Sequence, residues 1–211
     1  MKKRMQSGFL ENHLHEYSSY YIFHTVLLFM GVVFGAILVN SLNVTQKEDL
    51  FYFINEFFSQ VKQDQMVEAK EIFFHSLSYN VKYTGLMWIM GLTMIGLPLI
   101  LILLFLKGMI VGFTIGFFVQ QMGWEGFFLS VASIVPQNII ILPVFIVVAV
   151  VSVSFSLQLT KKLFVKTFYQ PFAPMLIRYC LFFGASVLFL CIAAFIEGYF
   201  TPYFMKGILS L

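Results

Sequence analysis

The sequence predicts an all-α polytopic membrane protein, and three observations carry that prediction. Hydrophobic residues make up 60% of the chain and charged residues only 11%, where a soluble domain has about a quarter charged. The mean hydropathy is +0.88. The apolar residues gather into stretches of the roughly 20 residues that a helix needs to cross a bilayer core of about 30 Å, with the polar residues between them. Lipid offers no partner to backbone N–H and C=O groups, so such stretches satisfy their own as helices. The 211 residues form a single integral membrane domain. A formal charge of +3 then carries information about orientation and gives no patch for nucleic acid.

Taken in order, the chain predicts five transmembrane helices. The basic start Met1-Lys-Lys-Arg4 leads through polar residues to Ser19, and the long apolar segment that follows, 20–42, reads as a retained first span rather than a cleaved signal. A polar segment, 43–82, separates it from a second span at 83–106. Lys107-Gly108 reads as a very short turn into a third span at 108–122. From 127 to 159 the chain is apolar for 33 residues, too long for one straight crossing at about 1.5 Å per residue. Pro136 and Pro143 divide this stretch into a re-entrant or broken half-membrane segment, 127–135, and a fourth span, 138–159. The fifth span, 176–199, closes at Thr201-Pro-Tyr203.

Lys and Arg placement orients these spans. With the N-terminus in the cytoplasm, the inside segments hold Lys2, Lys3, Arg4, Lys107, Lys161, Lys162, Lys166 and Arg178, and the C-terminus lies outside. Segment 43–82 is then extracytoplasmic. Its Thr45-Gln-Lys-Glu48 has capping-box spacing for a helix start. Leu50, Phe53, Ile54, Phe57, Phe58 and Val61 follow at the period of one helical face, and a second run passes through Met66, Ile72, Phe73 and Leu77. Such amphipathic helices either lie on the outer leaflet and the bundle or dock a partner through Phe53, Phe57, Phe58, Phe73 and Phe74.

Chemistry-bearing patterns are sparse. Lys107, Glu125, Glu197 and His24 each fall where a side chain can snorkel to an interface or pack. No hydrolase motif, phosphate-binding loop or Cys/His cluster occurs in the sequence, so neither a catalytic residue nor a cofactor or metal is expected. Cys180 and Cys191 are separated by eleven residues of one helix, about 16 Å, and cannot pair within the chain. Packing signals are clearer. Gly31-Val-Val-Phe-Gly35 and the series Gly108, Gly112, Gly116 each put small residues on one helical face, which permits close helix contact within one chain or in a homo-oligomer. Ser152, Ser156 and Thr160 form a hydroxyl stripe.

With Gly108 to Gly116, the motif Pro136-Gln-Asn-Ile-Ile-Ile-Leu-Pro143 and the layout of one span, a helical loop and further spans, the chain resembles the stage II sporulation protein M family over essentially its whole length. In the broader family this motif reads Pro-His-Gly-x-x-Glu-x-Pro. Here Pro136 and Pro143 are kept, while Gln137 stands in the place of His, Asn138 of Gly and Ile141 of Glu. A His and a Glu at that spacing can share a proton or hold a metal; glutamine and isoleucine can do neither. Gln137 and Asn138 therefore read as caps for backbone groups freed at the prolines.

The resemblance implies a multi-pass mother-cell membrane protein at the septal and engulfing membranes, needed for engulfment of the forespore. It further implies a scaffold that assembles two peptidoglycan-degrading partners, the stage II sporulation proteins D and P, and so supports septal peptidoglycan remodelling. A permease or channel with a site at the broken helix is the alternative, since interrupted helices line transport sites. An intramembrane enzyme is the third class, and the missing catalytic groups weigh against it.

Overall fold

The computed structural model describes residues 2–62, 69–164 and 172–201, which fold as helices joined by short turns. Helix α1, Lys2–Leu38, tightens into a 3-10 turn at Val39–Ser41, and α2 follows at Val44–Lys62. Then come α3, Ala69–Gly91, α4, Gly96–Ser133, α5, Val135–Phe164, and α6, Phe172–Phe195, which runs on as a π-helical segment, Ile196–Phe200. Four stretches are long and apolar enough to cross a membrane: Ser18–Ser41, Gly96–Ser133, Val135–Lys162 and Ala173–Phe200. The described residues of this membrane protein are thus all-helical with four such stretches, where five spans are expected from the sequence.

The difference has one origin. Lys107-Gly108 is no turn; α4 passes through both residues without interruption. The chain turns instead at 92–95, where the Leu92 and Thr93 N–H groups bond the Ile89 and Met90 carbonyls at 3.0 and 3.1 Å. Pro98 falls in the first turn of α4, where its missing N–H costs nothing. The expected spans 83–106 and 108–122 are therefore redistributed into α3 and the first part of α4. Helix α3 packs against α4, α5 and α6.

A real interruption lies further along α4. Gly123 has φ 59° and ψ −131°, a conformation that only glycine adopts without strain. Beyond it a short helical piece, 124–133, folds back so closely that a Cβ on Gly126 would overlap the Phe118 carbonyl. Leu129 from this piece packs with Phe118, Met122 and Ile54 of α2. Pro136 sits in the first turn of α5, so the chain breaks at Ile134, before the proline.

The start of α2 also differs in detail from the expected capping box. The Asn43 N–H donates to Gln46 Oε1 at 3.1 Å, and the Asn43 carbonyl accepts the first helical bond, from Lys47, at 3.1 Å. Asn43 and Gln46 thus hold the capping positions expected of Thr45 and Glu48.

The core lies among α1, α3, α4, α5 and α6. Leu28, Met87, Ile100, Leu104, Phe145, Val148, Ala149, Leu190 and Ala193 meet there. Helices α1 and α4 run parallel, since Leu28 lies by Gly108, Val32 by Gly112 and Ala36 by Gly116. A Cβ on Gly31 or Gly35 would likewise overlap the Phe105 or Met109 carbonyl. The two glycine series therefore face each other within one chain.

Candidate functional site

Ser76, Asn80 and Thr84 recur every four residues of α3 and so share one face. All three are buried against the bundle. Buried polar groups need partners, and each of these finds one. Thr84 Oγ1 donates to the Asn80 carbonyl at 2.8 Å, and Asn80 Nδ2 donates to the Ser76 carbonyl at 3.0 Å. The remaining acceptor, Asn80 Oδ1, receives a hydrogen bond from Lys107 Nζ at 3.1 Å.

Lys107 lies eleven residues past Gly96, about 16 Å along α4, inside a stretch long and apolar enough to cross a membrane. It is only 6% exposed, which replaces the interfacial role expected from the sequence. Three aromatic rings close around its ammonium, with centroids 4.8 Å away for Phe145, 5.2 Å for Tyr79 and 5.9 Å for Tyr83. Their negative faces offset part of the cost of removing the charge from water. Tyr83 is itself fixed by a 2.8 Å hydrogen bond from its hydroxyl to the Leu103 carbonyl, one turn before Lys107.

The polar chain continues to the end of the last helix. Ser76 Oγ donates to a carboxylate oxygen of Glu197. Glu197 stands in the π-helical segment, whose wider turn rotates the following side chains relative to a continuous α-helix. The neighbouring Gly198 lets this segment approach α3, because a Cβ there would press on the Ala69 carbonyl and on Phe73. One turn on, Thr201 Oγ1 donates to Gln137 Oε1 at 3.2 Å. Four helices thus meet through two neighbouring sets: Lys107 from α4, Asn80 and Ser76 from α3 and Glu197 at the end of α6 form one, and Thr201 with Gln137 at the start of α5 forms the other.

The residues singled out by the sequence fall into separate places. Gln137 bonds α6 rather than its own freed backbone. Asn138 acts from inside α5, where its Nδ2 donates to the Ile134 carbonyl at 2.7 Å, and it is not the residue before the helix. Pro143 lies within α5. Ser152 and Ser156 face the opposite end of the bundle. Ser156 Oγ donates to the Thr93 carbonyl at 2.8 Å, tying α5 to the 92–95 turn. Tyr179 donates to the Trp88 carbonyl at 2.7 Å and lies 2.9 Å from Ser152 Oγ. A tyrosine hydroxyl has one proton and a carbonyl can only accept, so Ser152 donates in the second bond.

Of the aromatic residues, Phe53 and Phe74 are 66% and 56% exposed, and Phe73 is half-buried beneath Gly198. The side chains of Phe57 and Phe58 lie outside the described residues. His24 is buried and so takes the packing role of the two expected; its Nδ1 donates to the Tyr20 carbonyl at 2.7 Å, and its Nε2 has no hydrogen-bond partner among the described residues. Glu125 is exposed beside Trp124.

Two signals in the sequence point to the site around Lys107. Ser76, Asn80 and Thr84 have the same four-residue spacing as the Ser152 stripe. Lys107 is also the sole Asp, Glu, Lys or Arg between Lys82 and Glu125, with 24 uncharged residues before it and 17 after. Such a residue lies either at a turn between two short spans or in the middle of one.

Comparison with known proteins gives one result. The family model described as stage II sporulation protein M matches residues 24–202, which include every member of the polar chain. No curated protein and no solved structure gives a match.

Proposed function

The chain belongs to the stage II sporulation protein M family, and from that membership we propose that it is a membrane scaffold for engulfment of the forespore. A sporulation-related membrane protein is what the family supplies; the scaffold is our reading of how this chain serves it. Its role is to hold the peptidoglycan-degrading stage II sporulation proteins D and P at the septal and engulfing membrane of the mother cell.

The observation that carries this reading is the family match over most of the chain. The form of α2 supports it. Ile54 braces α2 against Leu129, while Tyr52 and Phe53 remain 67% and 66% exposed beside the exposed carboxylates Glu48, Asp49 and Glu56. Aromatic residues with a charged rim suit a protein partner. The basic residues at 2–4, 161, 162, 166 and 178 favour a cytoplasmic N-terminus and an α2 outside, where hydrolases of the wall work. The parallel course of α1 and α4 then calls for α3 as a further crossing, with the C-terminus outside.

Affinity purification from sporulating cells tests the reading. Only 44–62 is exchanged for an unrelated helix, because α3 belongs to the bundle. The full chain brings down both partners and the exchanged chain loses them; retention of both partners by the exchanged chain refutes the assignment.

A second reading, transport through the bundle, is favoured by one observation, the buried charge of Lys107 within α4. Purified protein in liposomes tests it, and proton and cation fluxes equal to those of empty liposomes remove it.

A further inference from the structure

We propose that Lys107 and Glu197 act as one intramembrane charge latch, which fixes the π-helical end of the last span to the centre of the bundle. The inference is independent of the scaffold reading, because it rests on the geometry of the polar chain alone.

Each half of the latch is costly without the other. Lys107 is 6% exposed, and its direct hydrogen-bond acceptor is a neutral amide, Asn80 Oδ1 at 3.1 Å. An ammonium with neutral neighbours in a bundle core leaves most of the lost hydration uncompensated. The rings of Phe145, Tyr79 and Tyr83 return part of it. The balancing full charge is Glu197, which reaches Lys107 through two intermediates that polarise in the same sense. Ser76 donates its proton to the carboxylate. Asn80 gives its amide protons to Ser76 and turns its oxygen towards the ammonium. The dipoles thus align from the cation to the anion, as in cooperative hydrogen-bond chains.

The backbone around Glu197 is shaped for this contact. An α-helix turns by about 100° per residue, so the extra residue of a π turn reorients everything after it by about that angle. Gly198 is the next residue, and its lack of a side chain is what admits Ala69 and Phe73 of α3. Thr201 then closes on Gln137. Movement of the π-helical segment away from α3 removes the counter-charge of a lysine some 16 Å deep in the bundle. The end of the last span and the bundle centre therefore shift together.

A double-mutant cycle in the full-length chain tests the latch. Cys180 and Cys191 are replaced by serine, and Thr201, 8% exposed, becomes the reporter as Thr201→Cys, read by its rate of reaction with a water-soluble maleimide. Lys107→Met and Glu197→Gln each raise that rate about tenfold, and the double variant returns to within about threefold of the parent, the non-additivity of a coupled pair. Rates that simply multiply in the double variant overturn the proposal. Should either single variant fail to accumulate in the membrane, accumulation of the double variant supports the latch, and its failure overturns it.

Discussion

Val32 of α1 lies with its carbonyl against the Cα of Gly112 on α4, so close that a methyl group at position 112 would overlap the carbonyl oxygen, carbon and Cα of Val32. The two helices pack there backbone to backbone, with van der Waals contact as the main attraction, since lipid tails are as apolar as leucine. Gly112→Ala is expected to destabilise the protein by about 1–3 kcal/mol, the usual cost of overpacking. Gly184→Ala on α6 is the control, because a Cβ there meets nothing within 4 Å. Thermal unfolding in detergent compares the two, with Gly112→Ala lower and Gly184→Ala at or above the parent.

Asn80 is the direct acceptor for Lys107. Asn80→Leu preserves approximate size and removes that acceptor, leaving a buried ammonium with its rings and a distant carboxylate. The expected cost is about 1.5–3 kcal/mol, the range for a hydrogen bond to a charged group. Lys107→Met and Glu197→Gln added together in the same background recover most of that loss, because neither an ammonium nor a carboxylate is then left without its partner. Unfolding of Asn80→Leu and of the triple variant measures the recovery.

Tyr179 links α6 to both Trp88 on α3 and Ser152 on α5. Tyr179→Phe keeps the ring, which stacks on Phe155 at 4.2 Å and on Trp88 at 5.4 Å between centroids, and removes only the hydroxyl. Hydrogen bonds between membrane helices contribute about 0.6 kcal/mol on average and up to about 1.7. A loss in that range is expected on unfolding in detergent, and a larger one would mean that ring stacking had been disturbed as well.

Gly123 separates backbone strain from packing. A Cβ at this position meets nothing within 4 Å, yet φ is 59° with ψ at −131°. Gly123→Ala therefore carries only the conformational cost, about 1–3 kcal/mol. Relief of that strain straightens α4 and withdraws Leu129 from Ile54. A cysteine pair placed at 54 and 129 crosslinks in the parent and loses yield in the alanine variant.

Much of the architecture is legible in the sequence because lipid imposes strong constraints. Long apolar stretches have to be helices, and small residues at four-residue spacing mark faces where backbones can approach. Spacing does not say which helix is met, and the parallel contact of Val32 with Gly112 appears only in three dimensions. Lys107 was misplaced because a Lys-Gly pair in an apolar run has the composition of a tight turn. Gly108 is instead the close-contact residue beneath Leu28, and the turn lies at 92–95. Helix α3 was misdrawn for a related reason. Its polar residues are buried by neighbouring helices, so its composition understates how deeply it sits. Gln137 shows the limit of local reasoning, because its partner Thr201 is 64 residues away.

Photocrosslinking in sporulating cells tests the scaffold claim most directly. A photoreactive phenylalanine analogue replaces Phe53 on α2, with Ile95 in the 92–95 turn, 80% exposed, as the control position. A covalent product is expected between position 53 and stage II sporulation protein D or P, and none from position 95. Absence of any product with either partner from position 53, in cells that hold the protein at its normal level, would contradict it.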